Sequence, residues 1–116
     1  MGTYVSVAEP QLYQIWDGAV ARPLHGGKVT VGVIDFEPLT HVCEHRHENE
    51  QLGLVVKGAI TMVIDGERRE LRVGDMYSIR GGIPHSEETG QEWRDHRRCV
   101  FAGAIRLERH ATACRR

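Results

Sequence analysis

Short apolar runs, each ended by glycine or a charged turn, set the rhythm of this chain. Residues 28–36 alternate Val, Thr and Ile and predict a strand that ends before Pro38. Residues 41–47 predict a second strand, 51–56 a third closed by Lys57-Gly58, and 59–64 a fourth. Asp65-Gly66 reads as a hairpin turn, since this pair readily takes positive φ, and 68–72 pairs back. After the turn Val73-Gly74-Asp75, strands are expected over 76–80, 85–88 (beyond the loop Gly81-Gly82-Ile83-Pro84) and 97–107. Helical character is expected only near 11–16 and in the tail, 108–116. This many short strands at close turn spacing predict an all-β sandwich or closed barrel.

At 116 residues the chain suits one domain spanning 1–116. Fifteen Lys and Arg against 16 Asp and Glu give a net charge of −1, so there is no basic footprint for nucleic acid. No apolar run approaches the roughly 20 residues of a membrane helix. Residues 1–10 carry no basic cluster followed by an apolar stretch, which points to the cytoplasm. The three cysteines, Cys43, Cys99 and Cys114, are an odd number without a CxxC pair, so thiols in a reducing compartment are expected.

The candidate chemistry lies in Glu44-His45-Arg46-His47-Glu48-Asn49-Glu50-Gln51. On an extended chain His45 and His47 share a face, about 7 Å apart, and can converge on one ion. The Gln51 carbonyl oxygen can add a further ligand beyond a short polar turn. Glu50 is the rival, but its parity turns it from the His45–His47 face. Imidazole and oxygen donors suit Fe, Mn, Ni, Co or Zn without choosing among them.

These residues resemble the cupin family, whose first motif is HxHxxxE-x6-G and whose second is G-x5-PxGxxH. Here His45-Arg46-His47, Gln51 and Gly58 fall in register with the first motif, and Gly74, Arg80, Gly82 and His85 with the second. The resemblance implies a double-stranded β-helix (a jelly-roll barrel), with one divalent metal inside it and His85 supplying a third imidazole from a facing strand. It also implies a homodimer, for which the outward side chains Leu52, Leu54 and Val56 offer contact surface. Gln51 stands where the family has Glu, Arg80 where it has Pro, and Leu39 where it often has Gly. Losing the carboxylate leaves the ion and its ligands about one charge more positive, which favours bound anions and ionised water.

Other side chains carry competing readings. His41 and Cys43 share parity with His45 and are either extra ligands or lining of the barrel mouth, and Cys43 could be an oxidation-sensitive thiol. Tyr77 is the candidate catalytic proton donor, or else an interior aromatic with a satisfied hydroxyl. Glu44 and Glu48 are candidate bases or solvated carboxylates. Trp16 and Trp93 cap a pocket or pack apolar surface. The runs Glu67-Arg68-Arg69-Glu70 and Arg94-Asp95-His96-Arg97-Arg98 read as solvated turns.

Two classes of function follow. One is a metal-dependent enzyme acting on a small oxygen-rich organic substrate, as a dioxygenase, isomerase, decarboxylase or lyase; the resembling families include dimethylsulfoniopropionate lyases. The other is a non-catalytic metal-containing sensor or small-molecule-binding module. The chain carries no DNA-binding helix pair to transmit a signal, which weighs against the sensor.

Overall fold

The computed structural model describes residues 2–90 and 97–103, the last seven by backbone alone. Among the described residues there are ten strands: β1 (Tyr13–Trp16), β2 (Ala19–His25), β3 (Thr30–Phe36), β4 (His41–His45), β5 (Gln51–Lys57), β6 (Ala59–Ile64), β7 (Glu67–Arg72), β8 (Met76–Ile79), β9 (His85–Glu88) and β10 (Arg97–Gly103). They form a six-stranded sheet in the order β1-β2-β3-β10-β5-β8 and a four-stranded sheet in the order β4-β9-β6-β7. All pairings are antiparallel. Non-consecutive neighbours such as β10 between β3 and β5 are those of a jelly-roll barrel, the double-stranded β-helix. Among the described residues no helix is long and apolar enough to cross a membrane.

Alternation builds the core. Ile34 and Phe36 of β3, Val55 of β5, Ile60 and Met62 of β6, Leu71 of β7 and Ile79 of β8 are buried against Trp16, Ala19, Ala21 and Val42. The intervening positions Val31, Leu52 and Val56 face outward and are exposed. The Asp65-Gly66 turn forms as expected, with φ of 49° and 80°, and sets the register Ile64↔Glu67 through Ala59↔Arg72.

Three expectations need correction, and one strand was not expected. The segment near 11–16 is not helical: Tyr13–Trp16 is an edge strand that folds back on β2 over Asp17-Gly18. Its apolar residues gain more by covering the β2 edge than an isolated short helix could, because short helices are marginal in water. The strand β2 was not among the expected strands, and it holds Pro23, a residue rare in strand interiors. Pro23 is tolerated because β1 pairs only with residues 19–21, so no ladder on that side requires its missing N–H. The strand predicted over 41–47 ends at His45, leaving His47 in a loop. Finally, Cys43 is disulfide-bonded rather than a thiol; spacing along the chain cannot say which sulfurs a barrel brings together. The expected tail helix over 108–116 and Trp93 lie outside the described residues, as does the end of the strand expected over 97–107.

Candidate metal centre

The site is set by the way β4 pairs with β9. The register runs His41↔Glu88 and Val42↔Glu87, then jumps to His45↔His85. Three steps on β4 match two on β9, so the strand bulges between Val42 and His45. A bulge re-aims the side chains beyond it. Val42, buried, and His45 therefore both face inward, although their numbering differs by an odd step. The parity that grouped His41 with His45 is overturned: His41 pairs with Glu88 on the outer face, its Nδ1 3.8 Å from a Glu88 carboxylate oxygen. Cys43 packs against the core.

Three imidazoles meet inside. The His45 and His85 ring centroids are 4.3 Å apart, His47 and His85 4.8 Å, and His45 and His47 5.8 Å. One ligand-capable nitrogen from each lies within 4.8 Å of the others. Nitrogens sharing one ion at about 2.1 Å sit roughly 3 Å apart, so small ring rotations would close the set. His47 reaches the cluster from its loop because Gly82 N–H donates to the His47 carbonyl at 2.8 Å. Gly81 packs so closely on the Glu48 carbonyl oxygen that a Cβ there would overlap it.

The backbone fixes each ring's tautomer. His45 Nδ1 lies 2.7 Å from the Cys43 carbonyl, His47 Nδ1 2.8 Å from that of Asn49, and His85 Nδ1 2.9 Å from that of Ile83. A carbonyl only accepts, so each Nδ1 carries the proton and each Nε2 keeps its lone pair. His85 is 1% exposed, and its Nε2 is buried with no hydrogen-bond partner among the described residues. Burial pushes its pKa down to about 4, with smaller lowering from His45 and His47, against the raising effect of the Ile83 contact. A neutral imidazole with an orphaned buried lone pair is what a metal ligand requires, so the donor set fits a divalent transition ion.

Gln51 enters from the facing sheet, buried at the start of β5, while Glu50 beside it is exposed. The Gln51 amide Nε2 donates to the Tyr77 hydroxyl at 3.1 Å. Its carbonyl oxygen is thereby the end that remains for ligation. Tyr77 is partly buried against the core. Glu44 and Glu48 are exposed, as solvated carboxylates are. Trp16 does not cap a pocket from outside: it is buried, its ring stacks on His45 at 5.7 Å, and its indole N–H donates to the His41 carbonyl.

Sequence reasoning passed over Glu87. It follows His85 by two positions and shares its inward face, between Val42 and Met62. Desolvation raises its pKa to about 7. The signal was available in its spacing from His85, masked by the two glutamates that follow Ser86 in a polar run.

The comparisons agree with this architecture. The family model described as "Cupin domain" matches residues 32–91. The structure of KdgF from Halomonas sp. superposes with a TM-score of 0.78 at 21% identity, over 91% of this chain and 96% of that one. The polyketide cyclase RemF from Streptomyces resistomycificus does so at 0.76 and 21%, over 93% and 83%. In sequence, the HTH-type transcriptional regulator PuuR of Escherichia coli is 38% identical over 52 residues, 44% of this chain but 28% of that protein. With the family model covering more than half its length, the chain belongs to the cupin family.

Proposed function

We propose that this protein is a metal-dependent enzyme of the cupin type acting on a small, oxygen-rich organic molecule, with His45, His47, Gln51 and His85 as the metal ligands. The observation that carries the reading is the buried His85 Nε2, which has no hydrogen-bond partner among the described residues and sits beside two further imidazoles held in the same tautomer. When bound, an Fe, Mn, Ni, Co or Zn ion would supply Lewis acidity and, for iron, dioxygen chemistry.

The chain's own residues supply the rest. The Nδ1–carbonyl contacts hold the three rings so that little reorganisation accompanies binding. Gln51 offers a neutral oxygen, leaving the site more cationic than a carboxylate would and better suited to an anionic substrate oxygen. Tyr77 orients Gln51 through its oxygen, and its phenol beside the ligand set is the group assigned to hold or pass a proton. We also assign a homodimer, formed through the exposed apolar side chains Val31, Leu52 and Val56 on the outside of the six-stranded sheet.

Elemental analysis of protein purified without added metal tests the reading. About one transition-metal ion per chain is expected, with most of it lost after a His85→Ala change in a still-folded barrel. The likeness to part of PuuR favours a second reading, a ligand-binding module without turnover. A product screen over small organic acids with the metal-loaded protein separates the two.

A further inference from the structure

Across the inner face of the four-stranded sheet the register lays out two rows of side chains. One runs His45, His85, Ile64, Glu67; the next runs Val42, Glu87, Met62, Arg69. Neighbouring strands lie about 4.8 Å apart, so the His85 backbone is roughly 10 Å from that of Glu67. A cavity of about 260 Å³ occupies the β7 end of these rows, between β6 and β7 on one side and β8 on the other. Met62, Ile64, Leu71 and Tyr77 give it an apolar lining, and Glu67 and Arg69 stand at its rim. It adjoins the metal centre through two of its walls: Ile64 is the cross-strand partner of His85, and Tyr77 holds Gln51.

The rim pair is suited to exchange. Arg69 and Glu67 are both largely exposed, and an ion pair in water contributes little to stability. Arg69 uses its Nε on the Glu67 carboxylate. That contact orients the guanidinium and leaves its Nη edge as a two-pronged donor for a further carboxylate. Arg68, one residue earlier, pairs with Glu88 on the opposite face and has no part in the cavity.

We propose that this cavity takes the apolar body of a small organic acid whose oxygen-bearing head lies at the imidazole cluster, and that Arg69 recognises a second carboxylate at the far end. The inference rests on the metal reading above and narrows its substrate class to dicarboxylates with a short aliphatic or planar body. The span, shortened by the side chains reaching in from both ends, suits a chain of about six carbons.

A matched pair of acids tests it. 2-Oxoadipate and 2-oxohexanoate have the same head and chain length and differ only in a terminal carboxylate or methyl. Calorimetric titration of the cobalt(II)-loaded protein should show 2-oxoadipate binding about tenfold more tightly. Arg69→Met should abolish that preference while retaining full metal content, and Arg68→Met should leave it intact. Equal affinities in the unaltered protein, or a preference surviving Arg69→Met, would overturn the assignment. Failure to load cobalt at all would remove the metal reading together with this one; stoichiometric cobalt with no preference removes this one alone.

Discussion

Tyr77 occupies the space that a side chain at residue 53 would fill. The two are cross-strand partners on β8 and β5, and a Cβ on Gly53 would overlap the phenol ring. The glycine therefore lets the ring lie flat over β5, where its hydroxyl meets Gln51 two residues away. Gly53→Ala should destabilise the protein by about 1–3 kcal/mol, the usual cost of overfilling a packed interior. Tyr77→Phe keeps the ring and removes only the hydroxyl. It should change the melting temperature little and weaken metal binding several-fold, because Gln51 loses its anchor. Thermal melts and a metal titration on both variants check the pair, and equal metal affinity in Tyr77→Phe and the parent protein would sink the anchoring role.

The four proposed ligands should not contribute alike. His45→Ala and His85→Ala should each lose most of the metal, since each removes a strong donor from a small set. Gln51→Ala should lose less, an amide oxygen being the weakest of the four. Gly81→Ala should also weaken binding without touching a ligand, by displacing the Glu48 carbonyl and the loop that carries His47. Metal-to-protein ratios after dialysis give the order directly.

Glu87 and His85 give opposite pH signatures in the metal-free protein. The Glu87 carboxyl keeps its proton up to about pH 7 when folded, against an ordinary value of 4.5. Its contribution to stability is thus fully present below pH 4.5 and is lost as pH rises through 7. Glu87→Gln removes that loss, so its melting-temperature advantage over the parent should grow between pH 5 and pH 8. An advantage independent of pH would contradict the burial of this carboxyl.

The His85 ring resists protonation until about pH 4, against an ordinary value of 6.5. The unfolded chain then binds the proton first, so this group withdraws stability as pH falls from 6.5 towards 4. His85→Gln should flatten that part of the acid side of the metal-free stability profile. Denaturant midpoints at pH 7 and pH 5 for both proteins test it.

Leu39 has a φ of 58°, a left-handed conformation that costs a side chain with a Cβ about 1–2 kcal/mol. Its side chain is 68% exposed, so little packing is lost on removing it. Leu39→Gly should stabilise the protein by about 0.5–1 kcal/mol, the strain relieved being partly offset by glycine's greater entropy when unfolded. The backbone contact from Leu39 N–H to the Gly90 carbonyl should persist. A lower melting temperature in the variant would show that the turn is not strained.

The β architecture and most of the site were legible in the chain because both rest on local rules. Alternation gave the strands from β3 through β9, Asp65-Gly66 gave the hairpin register, and the spacing of His45, His47, Gln51 and His85 against the flanking glycines singled out the residues later found buried or clustered. Other features depended on partners distant in sequence. Pro23 could sit in β2 only because β1 stops short of it, and residues 13–16 became a strand because the β2 edge was there to cover. The bulge between Val42 and His45 brought His45 to the same inner face as Val42 and left His41 on the other, breaking a parity that an unbroken strand would have kept. Alternation, turns and motif spacing are written in neighbouring residues; a bulge, a covered edge and the Cys43 disulfide exist only where a second segment arrives, and tertiary structure alone decides which segment that is.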